Sequence, residues 1–269
     1  MRIILNADDF GKSPGRNIAI VDSFKQGMIF SCGMIVTGKY LRHAVELMNA
    51  APEVSWADVH LHVNLSANLF REGSEDAPLS EVMRRDPFFC KSGKFKFYHG
   101  LPNRPWTVIK WKTVYNEMVA QFESFKEITG GQADYSHIDF HLWYNLTWPV
   151  AVALGRFTKK YHIRSVRYIG EHQRGRRLFR LMLRLSRDPQ VLSVPATNID
   201  YFLSNQSAFS RTDLVELYCH PHYKEDGILL DDSPSYLKHE RLPMACQTKM
   251  LRESGNYEYV SWKDVVFGR

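Results

Sequence analysis

The feature that most constrains this chain is a rhythm. Short apolar runs alternate with segments of helical period from Ile3 to Leu65. Ile3 to Leu5 reads as a buried strand, and it ends in Asn6-Ala7-Asp8-Asp9-Phe10-Gly11. A helix over Asn17 to Lys25 follows, closed by Gly27. Ile29 to Val36 is the next strand. Tyr40 to Asn49 is a helix with Leu41, Ala44, Val45 and Met48 at helical spacing, and Val54 to Leu65 is a third strand. Strand-helix-strand-helix-strand is the signature of parallel βα units joined by right-handed crossovers.

The rhythm breaks over residues 67–106, which hold Pro78, Pro87 and the basic-aromatic run Lys94 to Gly100. So long an insertion after a strand end reads equally as a functional lid or as a surface hairpin with its aromatics folded inward. The rhythm then resumes. Thr107 to Ile128 is a helix whose stripe of Val108, Trp111, Tyr115, Met118, Phe122 and Phe125 marks core. His137 to Leu142 is a strand, Pro149 to Lys159 a helix, Ile163 to Tyr168 a strand and Leu214 to Cys219 another. Ser235 to Glu253 is mostly helix, and Tyr257 to Trp262 a last strand. With 269 residues, 44% hydrophobic and 24% charged, the chain suits one α/β domain with a sizeable core.

Four cysteines stand far apart, without the spacing of a zinc ribbon or a disulfide scaffold, as in a reduced cytoplasmic protein. Asn6 and Asp8 cut off the first apolar run, so it does not read as a signal peptide. No run approaches the ~18 apolar residues of a membrane span. The net charge of +6 is partly regional, since Arg174 to Arg187 holds six arginines and no acid. There Arg177, Arg180, Arg184 and Arg187 share a helical face opposite Leu178, Leu181, Met182 and Leu185. Such a helix could touch an anionic membrane surface or a phosphorylated substrate, although a solvated surface helix is the simpler reading. No recognition motif accompanies it, so a nucleic-acid partner is not expected.

Candidate chemistry collects at four strand ends, where α/β proteins place their sites. They are Asp8-Asp9, His60-Leu61-His62, His137-Ile138-Asp139-Phe140-His141, and Cys219-His220-Pro221-His222. Two aspartates at one strand end read most simply as a turn. Six of the eleven histidines in three further strand ends read differently. Spacing of two puts His60 with His62 on one face, and likewise His137, Asp139 and His141. Imidazole and carboxylate together suit a divalent metal with open positions for water and substrate. Nothing in the sequence activates Cys219, which reads as an inert buried thiol.

These motifs resemble the YdjC-like carbohydrate deacetylases, which include the chitooligosaccharide deacetylases. Asn6-Ala7-Asp8-Asp9-Phe10-Gly11 resembles the opening signature of that family. Val59-His60-Leu61-His62-Val63-Asn64-Leu65-Ser66 resembles its GxHxNLT segment, His137 to His141 its HLDSH segment, and Leu217 to Pro221 its CHP segment. The resemblance implies a single (β/α)-barrel-like domain over residues 1–269, related to the TIM barrel. It implies removal of N-acetyl groups from an amino sugar with one divalent metal ion, zinc or magnesium, and a homodimer. Residue by residue it implies Asp9, His62 and His141 as metal ligands, Asp8 as general base and His220 as acid. Around them His60, His137, Asp139, Trp143, Arg167 and His222 are expected to bind substrate or support the ligands.

The chain departs from the family in three places. His60 stands where the family usually has Gly, and offers an alternative ligand two residues from His62. Leu142-Trp143-Tyr144-Asn145 replaces a run of further histidines and adds aromatic surface for a sugar ring. His222 replaces a small residue. With the basic helix, these changes suggest an anionic, lipid-linked or nucleotide-linked saccharide in place of a neutral chitobiose type, with the enzyme peripheral to the membrane. The competing readings are a metal-dependent hydrolase of another amide or ester, and a saccharide-binding protein without catalysis. Retention of Asp8 speaks against the last, because binding alone does not need a carboxylate beside a metal ligand.

Overall fold

Parallel strands curl into a closed ring with helices outside it, as the βα rhythm requires. The computed structural model describes residues 1–66, 77–96, 105–141, 147–168, 173–186, 191–233 and 242–267. The chain runs β1 (Arg2–Phe10), α1 (Pro14–Lys25), β2 (Ser31–Met34), α2 (Leu41–Asn49), β3 (Val59–Val63) and α3 (Glu81–Arg84). A hairpin of β4 (Cys90–Lys91) and β5 (Lys94–Phe95) precedes α4 (Trp111–Ile128), β6 (Asp134–Phe140), α5 (Trp148–Tyr161), β7 (Ser165–Tyr168) and α6 (Gln173–Ser186). Then come β8 (Leu192–Asn198), α7 (Ile199–Ser204), β9 (Leu214–Cys219), the hairpin β10 (Pro221–Tyr223) and β11 (Leu229–Asp231), and α8 (Met244–Glu253). The chain closes with β12 (Glu258–Tyr259) and α9 (Trp262–Phe267).

The sheet order is β1-β2-β3-β6-β7-β8-β9, and β9 pairs back onto β1 to close a seven-stranded parallel barrel. β12 pairs with the start of β1, at Arg2 and Ile3. The (β/α)-barrel-like expectation therefore holds.

Alternation along β1 separates the inside of the barrel from its outside. Ile3, Leu5 and Ala7 join the large apolar core shared with the helices, whereas Ile4 joins a small cluster with Val194, Val260, Trp262 and Val265. That cluster plugs the N-terminal end of the barrel. Asn6 and Asp8 share Ile4's parity, so the interior above the plug is polar. Such an interior is costly unless every charge has a partner.

Some elements differ from the pattern read in the sequence. β8 went unpredicted because Pro195 sits inside it and proline removes a ladder donor. The pairing to β9 starts only at Ala196, so that ladder begins past the proline. β3 is shorter than predicted, since Ser55 caps a tight turn over Trp56–Asp58 before the strand starts. Trp262 opens a helix and does not end a strand. Within the 67–106 insertion, residues 77–96 form α3 and the β4–β5 hairpin, with Phe89 and Phe95 folded into the core. The insertion's other parts, 67–76 and 97–104, lie outside the described residues, as does Trp143.

α6 packs closely on α5. A Cβ at Gly155 would lie 2.6 Å from the Met182 carbonyl oxygen and 2.7 Å from Leu185 Cβ. Met182 and Leu185 of α6 are thus used against α5, while Arg180 and Arg184 face solvent. Among the described residues no helix is long and apolar enough to cross a membrane.

Candidate metal centre at the barrel mouth

Regular strand geometry would send Asp8 and Asp9 to opposite faces. Asp9 instead adopts a left-handed backbone, φ 72°, and the β1–β2 register slips between Ala7 and Phe10. The break in alternation brings both buried carboxylates to the barrel mouth. The loop beyond is pinned by Asn17, whose Oδ1 accepts from the Gly11 N–H at 2.8 Å and whose Nδ2 donates to the Tyr40 carbonyl at 3.0 Å. A Cβ at Gly38 would sit 2.3 Å from the Gly11 oxygen, so the loops after β1 and β2 can touch only without a side chain there.

Asp9 Oδ1 lies 2.8 Å from His141 Nδ1 and 3.7 Å from His62 Nε2. It accepts no aligned hydrogen bond. Asp9 Oδ2 takes the Lys12 ammonium at 2.8 Å. His62 comes from β3, and its other nitrogen, Nδ1, lies 2.6 Å from Asp139 Oδ1 on β6. A carboxylate behind a histidine in this way fixes which nitrogen faces the mouth. His141 follows β6 directly, its N–H held by the Val63 carbonyl at 2.9 Å.

Asp8 is gripped from the side. Arg167, on β7, donates from Nη1 to Asp8 Oδ2 and from Nη2 to Asp8 Oδ1, both at 2.6 Å. The same guanidinium lies 2.5 Å from Asp139 Oδ2, and its Nε donates to Glu216 on β9 at 2.9 Å and 3.0 Å. One buried cation therefore ties Asp8 to the carboxylate that orients His62. Across the mouth, His220 presents Nε2 at 3.9 Å from Asp8 Oδ2. Its Nδ1 is held 2.8 Å from Ser233 Oγ, and its N–H donates to Asp231 Oδ1 at 2.7 Å.

A second layer lies deeper. His60, His137 and Asp139 form a fully buried cluster, with His60 Nε2 3.3 Å from Asp139 Oδ2. The His137 ring stacks on Trp262 at 3.5 Å, and its Nδ1 lies 2.9 Å from Ser165 Oγ. The β3–β6 register shifts between His60 and Leu61. His60 accordingly stays below, while His62 reaches Asp9. His222 lies on β10 and joins none of the His–carboxylate clusters among the described residues.

The electrostatics follow from burial and charge together. Burial alone would raise Asp9, but Lys12 and His141 hold it well below the usual carboxylate range. Burial and the Lys12 charge push His141 down to about 4, so its imidazole is neutral at pH 7. Burial would raise Asp139 too, and Arg167, His62 and His60 outweigh it. Burial pushes Glu216 up to about 7, against the pull of Arg167. Burial lowers His220 more than Asp9 and Asp8 raise it. Cys219 is buried with its thiol pushed well up by that burial, which is the inert state expected of it.

The donor set suits a divalent cation. Asp9, His62 and His141 offer ligand atoms within 4.8 Å of one another. They converge without an aligned hydrogen between them and Asp9 Oδ1. Among the described residues, Asp8, Asp9 and Asp139 outnumber the fixed cations Lys12 and Arg167 at this mouth, and Glu216, pushed up to about 7, adds only a partial charge. A dication offsets that excess.

Lys12, Glu216 and Ser233 were not foreseen from the sequence. Glu216 carried a signal: a lone acid inside the apolar run Leu214 to Leu217, at the period-two spacing that leads to His220.

A family model described as YdjC-like protein matches residues 2–254. The chain is 26% identical to carbohydrate deacetylase 2 of Listeria innocua over 98% of this chain and 99% of that protein. It is 28% identical to a carbohydrate deacetylase of Vibrio cholerae, over 88% of this chain and 84% of the relative. In structure it resembles a putative cellobiose-phosphate cleavage protein from Enterococcus faecalis, with a TM-score of 0.71, 18% identity and 98% of each chain covered. At that identity the likeness speaks to the fold alone.

Proposed function

The chain belongs to the YdjC-like family, and on that premise we propose that it is a metal-dependent carbohydrate N-deacetylase, a hydrolase that frees acetate from an N-acetylated amino sugar. The observation that carries this reading is the convergence of Asp9, His62 and His141 beside a clamped Asp8 and an anchored His220. Two imidazoles and one carboxylate favour zinc over magnesium, which prefers oxygen ligands.

A divalent ion held by Asp9, His62 and His141 would lower the pKa of a bound water and polarise the amide carbonyl. The rest falls to the protein's own groups. Asp8 takes the water proton, and Arg167 keeps both its oxygens in a fixed plane for that task. His220, with Nδ1 anchored on Ser233, keeps Nε2 free to protonate the leaving nitrogen. Asp139 holds His62 and shares Arg167 with Asp8, so ligand and base are positioned through one network. The unpaired thiols of Cys32, Cys90, Cys219 and Cys246 support a reducing cytoplasmic setting.

The test is acetate release from a panel of neutral and anionic N-acetylated saccharides, with and without EDTA, for wild type and Asp8→Asn. Chelator-sensitive release that Asp8→Asn abolishes is the expected result. Tight metal binding with no acetate from any member would overturn the deacetylase reading.

A further inference from the structure

We infer that the cleft between α4, α5 and α6, on the outer helical layer, is a binding site for a soluble ligand carrying two or more phosphate groups. The cleft encloses about 790 Å³ and is lined by Trp111, Lys112, Arg156, Lys159, Lys160 and Arg184, with no carboxylate among its lining residues. That volume falls in the ordinary range of small-ligand pockets.

Among the described residues the five cations are uncompensated. None of them pairs with a carboxylate among the described residues. Two are packed against the same ring: the Arg156 guanidinium lies 4.4 Å from the Trp111 centroid, and the Lys112 ammonium 5.8 Å. Holding five like charges around one concavity costs free energy that only an anion relieves. Arginine forks and lysine ammoniums are the groups that recognise phosphate. The same feature explains why Trp111 and Tyr115, which the helical stripe marks as core, line an open cleft.

A lipid surface could supply the same phosphates, but the geometry favours a soluble ligand. Two of the apolar residues of α6 are engaged by α5 and not open to a bilayer: Met182 is buried and Leu185 meets Gly155. What remains is a charged concavity.

The test is calorimetric titration of the full protein at low salt with fructose 1,6-bisphosphate, with fructose as the uncharged control. In parallel, sedimentation with phosphatidylcholine vesicles is run with and without phosphatidylglycerol. The variants are Lys159→Glu and Arg184→Glu, singly and together, with Lys249→Glu elsewhere on the surface as the charge-matched control for each single variant. The proposal expects saturable binding of the bisphosphate and none of fructose. It expects the double variant to weaken binding roughly tenfold or more, with Lys249→Glu close to wild type. It is overturned by absence of bisphosphate binding, by equal weakening in the control, or by attachment to anionic vesicles alone. Acetate release is read alongside and should not change, because neither residue belongs to the barrel mouth.

Discussion

Glu216 is a group whose proton count the fold controls directly. It is fully buried against Arg167, and that burial pushes its pKa up from 4.5 to about 7. A carboxyl raised in this way binds its proton more tightly in the folded chain than in the unfolded one. It contributes stability that is fully present below the unfolded pKa and lost as pH rises through the folded one. Raising the carboxyl from 4.5 to about 7, at about 1.36 kcal/mol per pH unit, corresponds to about 3 kcal/mol lost across that window. In Glu216→Gln the group no longer titrates, so the stability of the variant relative to wild type should climb by about 3 kcal/mol across that window. Urea denaturation of both proteins at half-unit pH steps measures the difference, in which the other titrating groups largely cancel. An infrared band of a protonated carboxylic acid that is stronger near pH 6 in wild type than in the variant is the independent readout. A difference that stays flat from pH 4.5 to 8 would refute the reasoning, because Glu216 would then be ionised throughout.

Other perturbations have expected outcomes of their own. Asp139→Asn removes the carboxylate behind His62 and should weaken metal binding ~10- to 100-fold, read by competition with a chelating dye. Arg167→Met strands Asp8, Asp139 and Glu216 together and should cost about 3–5 kcal/mol in denaturation while abolishing acetate release. If Arg167→Met is as stable as wild type, the guanidinium is not the tie between base and ligand. Gly155→Val drives a side chain into the Met182 carbonyl and should cost about 1–3 kcal/mol, seen as a fall in Tm without loss of metal.

The barrel was legible because its strands carry local signals. Ile3 to Leu5 is a continuous apolar run, Val215 and Leu217 flank Glu216 at period two, and the helices between them show 3.6-residue stripes. Asp8, Asp9, His62 and His141 were legible as candidates because they stand at strand ends, where this architecture gathers its chemistry. The failures were equally local in origin. Pro195 hid β8, and Trp262 reads as strand residue or helix start with the same ease. The basic helix showed its amphipathicity but not its partner, which is α5.

Sequence by itself determined the alternation of strand and helix, the parity that separates barrel interior from helical core, and the set of side chains available for chemistry. These depend on spacing along one chain, which is fixed by the periods of 2 and 3.6. The tertiary structure alone decided which of His60 and His62 meets Asp9. It also made Arg167, 159 positions from Asp8 in sequence, the clamp on that carboxylate. Both outcomes depend on a register slip, a left-handed aspartate and the closing of β9 onto β1. These are relations between strands, and a one-residue change in register would redirect every side chain they aim.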